Sequence, residues 1–206
     1  IPRQRIKKTM MYTSDSIEKM VTILSSLPTI GKKTAQRLTY HLIKTDDNYI
    51  EAFSQALLDI KKKVKLCSQC FNYTEIDPCP ICSSEKRKKG IVCVVEDPTD
   101  VIAIEKTNEF FGTYHVLHGV ISPLDGVSPE DLKIKELVAR VNNLEEVILA
   151  LNPSIEGEAT SQYIAKLLHP FGIKVTRIAT GVPIGSSLEF TDELTISKAL
   201  NSRIEI

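Results

Sequence analysis

Two cysteine pairs, Cys67-x2-Cys70 and Cys79-x2-Cys82, constrain this 206-residue chain more than any other feature. A CxxC turn points both sulfurs to one side, and two such turns complete a tetrahedral shell of four thiolates around a metal ion. Cys67, Cys70, Cys79 and Cys82 are therefore expected to hold one structural zinc per chain, with no coordination position left open for catalysis. Disulfides are the competing use. The start of the chain, Ile1 to Met10, is basic and lacks the apolar stretch of a signal peptide, so reduced thiols are expected. A redox role would suit either pair alone better than both together. The fifth cysteine, Cys93, sits in an apolar run and reads as core.

The cysteines divide the chain into a helical part and an α/β part. Before them the apolar residues recur with helical period. Ile17, Met20, Val21, Leu24 and Leu27 share a face, with Asp15 and Glu18 spaced as a capping box. After a break at Pro28 to Gly31, a second helix is expected from Lys32 to Ile43. A third follows from Tyr49 to Val64, with Phe53, Leu57, Ile60 and Val64 as its buried stripe. After the cysteines, buried strands are expected at Ile91 to Val95 and Val147 to Leu151, and further strands at Tyr114 to Leu117 and Ile173 to Ile178. Helices alternate with them: one begins at Asp97-Pro98, an N-cap followed by an N1 proline. Others span Lys133 to Val141, Gly157 to Leu168 and Asp192 to Leu200. Strands alternating with helices specify a three-layer domain on a mostly parallel sheet.

The zero net charge is also divided. Residues 1–90 hold 17 Lys and Arg against 9 Asp and Glu, a net +8, and residues 91–206 hold the reverse, 9 against 17. One half suits phosphate, and the other offers an acidic surface to a protein or metal. No apolar run reaches the roughly 18 residues of a membrane span, and a cytoplasmic location is expected. Arg3, Arg5, Lys7 and Lys8 read either as a DNA-seeking arm or as part of a disordered leader over residues 1–10.

Leu27-Pro28-Thr29-Ile30-Gly31-Lys32-Lys33-Thr34-Ala35 resembles the helix-hairpin-helix element of DNA-repair proteins. In that element, backbone N–H groups at the start of the second helix meet a DNA phosphate. Gly31 matches the second glycine of the loop, and Thr29 stands where the first is usual. Lys32 and Lys33 oppose the helix dipole, which is odd for stability and sensible for an anion site. Lys32, Lys33 and Arg37 are therefore the candidate DNA contacts, to backbone and without sequence preference. Lys61, Lys62, Lys63, Lys65 and the stretch from Lys86 to Lys89 add to the basic surface. An ordinary αα-hairpin with a solvated basic edge is the plainer reading.

Val92 to Val95 leads into Glu96, and Ile148 to Leu151 leads into Asn152-Pro153-Ser154-Ile155-Glu156-Gly157-Glu158-Ala159. This resembles the Toprim domain, whose enzymes carry a glutamate after the first strand and a D-x-D pair after a later one. Those carboxylates hold the Mg²⁺ that serves phosphoryl transfer. Here Asn152 and Ser154 replace both aspartates, so a metal-dependent nuclease or primase is disfavoured. Gly181-Val182-Pro183-Ile184-Gly185 lacks a Walker-A lysine and reads as a turn or subunit contact.

A helix-hairpin-helix, a four-cysteine element and a Toprim domain without its aspartates, in that order, resemble the RecR family of bacterial recombination mediators from about Met11 to Arg203. The resemblance implies a non-catalytic DNA-binding scaffold that acts with RecO, and in many bacteria RecF, to promote RecA loading. It also implies homodimers or ring-like homotetramers formed through the N- and C-terminal regions. The implied modules are a hairpin region at 11–66, a zinc finger at 67–90, Toprim at 91–180 and a C-terminal oligomerisation segment at 181–206. Glu96, Glu156 and Glu158, which match Toprim positions, are the candidate residues for a RecO surface. Two rivals make different predictions: a metal-dependent Toprim enzyme using those glutamates, and a zinc-stapled protein–protein adaptor without a DNA role.

Overall fold

The computed structural model describes residues 14–203. The leader at 1–10, with its four basic residues, lies outside them. The chain divides after Lys62 into two compact units.

The first unit is three helices, α1 (Asp15–Ser25), α2 (Lys32–Lys44) and α3 (Asp47–Lys63). Ser14 is the N-cap of α1, so Asp15 and Glu18 do not form the expected capping box; Asp15 lies in the first turn, where its charge favours the dipole. Val21, Ala35 and Thr39 are the buried residues of α1 and α2. The expected stripe on α3 is not buried: Phe53, Leu57 and Ile60 are 40%, 54% and 59% exposed. Three helices of 11, 13 and 17 residues supply one layer and no second layer to cover it. Between them runs an apolar groove of about 330 Å³ lined by Met20, Leu42, Ile43, Ile50, Phe53 and Leu57, among others.

The second unit opens on a short antiparallel pair, β1 (Lys65–Leu66) and β2 (Tyr73–Thr74), followed by the short helix α4 (Pro80–Ser83). The main sheet has β3 (Lys88–Val95), β4 (Gly112–Val116), β5 (Glu146–Ala150) and β6 (Lys174–Arg177) in the order β4-β3-β5-β6. All three pairings are parallel. The crossover helices are α5 (Pro98–Glu105), α6 (Ile134–Ala139) and α7 (Ile155–Leu168), and α8 (Glu193–Asn201) closes the chain. Asp97 and Asp100 form the capping box of α5, with Pro98 at N1 as its sequence requires.

Period-two alternation sorts the central strand between two cores. Val92 and Val94 join Leu117, Ile134, Leu137, Val147, Leu149, Ile164 and Leu168 beneath α6 and α7. Cys93 and Val95 face the opposite way, among Val101 of α5, Tyr114, Val116 and the four clustered cysteines. Cys93 is thus core, and burial pushes its thiol up to about 12. Burying each of these branched side chains contributes roughly 1.5–3 kcal/mol, which both faces of β3 collect.

Candidate metal centre and nucleic-acid interface

The cysteine element is built from two tight turns. Cys67 closes the first by donating from its N–H to the Asn72 carbonyl at 2.8 Å, and Phe71 N–H donates to Cys67 O at 3.0 Å. Phe71 takes a left-handed φ of 62° to do so. Cys79 caps α4, which carries Cys82, and its N–H donates to Cys67 Sγ at 3.3 Å. All four residues are buried, and their sulfurs lie within 4.8 Å of one another, with Cys70 and Cys79 at 3.6 Å. Zinc–sulfur bonds of about 2.3 Å place tetrahedral sulfurs roughly 3.8 Å apart, so the cluster can hold a metal ion of that kind. Four crowded thiols cannot all ionise by themselves. Thiol donation from Cys70 holds Cys79 low, while Cys70 and Cys82 are pushed up by their sulfur neighbours. A bound dication replaces those protons.

The element is anchored to the sheet. Val116 N–H donates to Cys70 O at 2.8 Å, and His118 Nε2 donates to Phe71 O at 2.7 Å. Phe71 meets the ring of His115 edge-on at 5.3 Å. His115 is fully buried; its Nε2 donates to Lys133 O at 2.6 Å, and its Nδ1 accepts from Arg140 Nη1 at 3.2 Å. Burial, reinforced by the Arg140 charge, drops the imidazole to about 4, so it is neutral at pH 7. Arg140 also donates to Tyr114 O and lines a cleft with Ser68 and Gln69, the two residues between Cys67 and Cys70. No carboxylate among the described residues pairs with Arg140. Its charge faces Cys82, Cys70 and Cys67, where it offsets the negative charge of a tetrathiolate. Arg140 and His115 carry no local motif, and sequence reading missed both.

The sheet brings Glu96, at the end of β3, and Asn152, just past the end of β5, to its carboxyl edge, where the strand order reverses. Asn152 Nδ2 donates to Glu96 Oε2 at 2.8 Å. Ser154 is the N-cap of α7, its Oγ accepting from Gly157 N–H at 3.0 Å. Gly157 cannot be larger, because a Cβ there would lie 2.0 Å from the Asn152 carbonyl. These residues do not fit a divalent cation: an amide N–H₂ group points at the one glutamate, and the serine oxygen is occupied by a backbone donor. Of the other glutamates, Glu156 is half-buried in the first turn of α7, while Glu158 accepts from Arg177 Nη1 at 2.7 Å. Glu96 and Asn152 are therefore brought together, and Glu158 is already partnered.

In the helical unit Lys32, Lys33 and Arg37 are all exposed on α2. Lys33 and Arg37 share an open trough with Gln36, Tyr40, His41 and Lys44, whereas Lys32 lines a separate crevice beside α1 with Glu18, Thr22, Gln36 and Tyr40. Gly31, the N-cap of α2, has nothing within 4 Å of where a Cβ would stand, which leaves the start of the helix approachable by a ligand. Thr29 holds φ 66°, the left-handed conformation that the glycine of this loop ordinarily supplies. The run from Lys86 to Lys89 is less available than its sequence suggests. Arg87 is held by Glu105 and donates to the Phe110 carbonyl, and Lys89 pairs with Glu85 at 2.9 Å. Tyr40, His41 and Lys44 were missed, although their spacing from Lys33 and Arg37 was available to find them. The turn from Gly181 to Gly185 leaves Ile184 wholly exposed, with Ser186 N–H returning to Pro183 O at 3.1 Å.

Comparison with known proteins follows the same divisions. The RecR helix-hairpin-helix family matches residues 17–61, and the RecR four-cysteine zinc finger domain family matches 64–84. The Toprim domain family matches 90–179 and the RecR C-terminal family matches 181–204. The Recombination protein RecR of Chloroherpeton thalassium is 55% identical over 205 residues, covering 96% of this chain and all of that protein. Those of Chlorobaculum tepidum and Clostridium perfringens are each 52% identical, covering 96% and 93% of this chain and 100% and 97% of their own. On identity of that extent, spanning all four matched regions, the chain belongs to the RecR family of recombination proteins.

Proposed function

We propose that this chain is a non-catalytic, DNA-binding recombination mediator, held together by structural zinc and acting with RecO and RecF to promote RecA loading. The carrying observation is the Glu96–Asn152 hydrogen bond, which closes with an amide the place where a Toprim enzyme gathers carboxylates. Phosphoryl transfer needs metal-held charge at that edge, and this donor set supplies one carboxylate with an amide on it. The modules are read as 11–66, 67–90, 91–180 and 181–206. Four thiolates favour zinc, and with all positions filled by cysteine the ion is structural.

Lys33 and Arg37 are the principal DNA contacts, with Lys32 at the edge of the same helix start. Their target is the phosphate backbone. Glu96, Glu156 and Glu158 mark the surface for RecO, with Glu156 the most available because Glu158 is tied to Arg177. The open apolar faces of α1, α2 and α3 support a homodimer or ring-like homotetramer built in part through the helical unit. Among the described residues no helix is long and apolar enough to cross a membrane, which suits a cytoplasmic location.

Reversing both charges, Lys33→Glu with Arg37→Glu, tests the DNA role. Affinity for DNA should fall more than about tenfold at low salt, and the logarithmic salt slope should flatten by about two phosphate contacts. Unchanged binding and slope would favour an adaptor that meets only proteins.

A further inference from the structure

We infer that Tyr40 is a base-stacking residue, and that the trough along α2 takes an unpaired DNA strand in preference to a duplex. The inference rests on the reading of Lys33 and Arg37 as phosphate contacts and names the strand form that this face selects. The trough is open, about 640 Å³, and runs along a single helix face. Lys33, Arg37, Tyr40, His41 and Lys44 recur at spacings of four, three, one and three, so they form one stripe roughly 16 Å long. Among the described residues no carboxylate lines it.

Tyr40 is the residue that a plain phosphate-binding stripe does not explain. It lies about one turn from a cation on either side, Arg37 before it and Lys44 after it. The side chain is 47% exposed. Among the described residues it has no aromatic partner and its hydroxyl no hydrogen bond. Ala35 and Thr39 are the buried residues of the same helix, and Tyr40, which also borders the crevice beside α1, is not among them. An exposed ring set between two cations is the arrangement by which proteins hold a single strand: phosphates pair with the cations and a base lies on the ring. A base in a duplex has both faces covered by its neighbours and cannot use the ring, whereas an unpaired base can. The chain has no tryptophan, so tyrosine emission reports the contact directly.

The test is fluorescence anisotropy on the full chain with three labelled probes: a thymine oligonucleotide, the same strand with abasic sites, and a duplex of equal length. Tyr40→Ala should weaken binding of the base-bearing strand about tenfold, while changing the abasic strand and the duplex less than about twofold. Tyr40→Phe should bind the base-bearing strand as the parent does, and should lose part of the tyrosine quenching seen on binding. Equal weakening of all three probes by Tyr40→Ala would overturn the stacking role, as would no weakening where Lys33→Glu with Arg37→Glu does weaken binding. If the charge reversal leaves every probe unchanged, the DNA reading of the face fails, and the stacking role with it. Thermal unfolding of each variant separates loss of contact from loss of fold.

Discussion

In the helical unit Lys33, Arg37 and Lys44 have no carboxylate partner among the described residues, and apolar side chains on all three helices stand open. In the sheet unit Arg87 is held by Glu105, Arg177 by Glu158, Lys174 by Glu146 and Lys133 by Glu136, and both faces of β3 are covered. The same residue types therefore do different work on the two sides of Lys62. Lys33, Arg37 and Lys44 of the first unit stand exposed, while Arg87, Lys133, Lys174 and Arg177 of the second fix its own loops and strands. A net-charge count hides this, because residues 1–62 hold 11 Lys and Arg against 6 Asp and Glu, yet the next 28 residues supply cations that are partly engaged.

The largest test of the contrast is at the cysteines. Cys79→Ser should release about one zinc per chain and destabilise the sheet unit by about 5 kcal/mol or more, because structural zinc contributes folding free energy. Metal analysis with thermal unfolding reads both, and the transition of the helical unit should not move. Full zinc content with unchanged unfolding would remove the staple from the account of the second unit. Next is Gly157→Ala. Its new methyl would meet the Asn152 carbonyl, so α7 must shift at a cost of about 3 kcal/mol. Denaturant unfolding measures it, and a neutral outcome would mean that the edge carrying Glu96 and Asn152 is looser than its geometry.

A third test uses pH. His115 is neutral in the folded chain, at about 4 against an ordinary value of 6.5, so the unfolded chain binds the extra proton first as pH falls. The contribution is complete above about pH 6.5 and is lost on the way down through pH 4, amounting to about 3 kcal/mol between pH 7 and pH 4. Urea titrations at the two pH values, compared with His115→Gln, should show the variant's smaller acid sensitivity. Equal sensitivity in both proteins would assign the effect to other groups. The smallest effect belongs to the helical unit. Thr29→Gly should stabilise it by about 1 kcal/mol, because a β-branched residue at φ 66° carries a penalty that glycine does not. A loss of stability there would mean that the threonine hydroxyl or methyl makes a contact outweighing the strained backbone.

The two units were also legible to different degrees. In the second, β3, β4, β5 and β6 were found within a few residues: β3 and β5 read as apolar runs, while the edge strand β6, with Lys174 and Arg177 exposed, was placed by its position after a helix. The cysteine spacing likewise dictated the cluster. Asn152 and Ser154 announced a changed site, but the hydrogen bond from Asn152 to Glu96 joins residues 56 apart and needed the sheet register to appear. The Glu158–Arg177 pair, and the seating of Arg140 behind Ser68 and Gln69, are non-local in the same way. In the first unit the helices were correct and the burial was not. The period of Phe53, Leu57 and Ile60 specifies an apolar face, and says nothing of whether this chain or another covers it. Thr29 was visible as a departure from the hairpin pattern, and its positive φ shows that the backbone kept the loop geometry while the residue changed.

The most direct test of a basic binding unit joined to a sheet that no longer performs chemistry is one gel. End-labelled and circular DNA would be incubated with the purified chain and Mg²⁺ or Mn²⁺ across a salt series. The predicted result is DNA that shifts at low salt, releases as salt rises, and remains uncut at every metal concentration. Metal-dependent cutting that Glu96→Ala abolishes would contradict it, and would mean that the carboxyl edge of the sheet still holds a working cation beside Asn152.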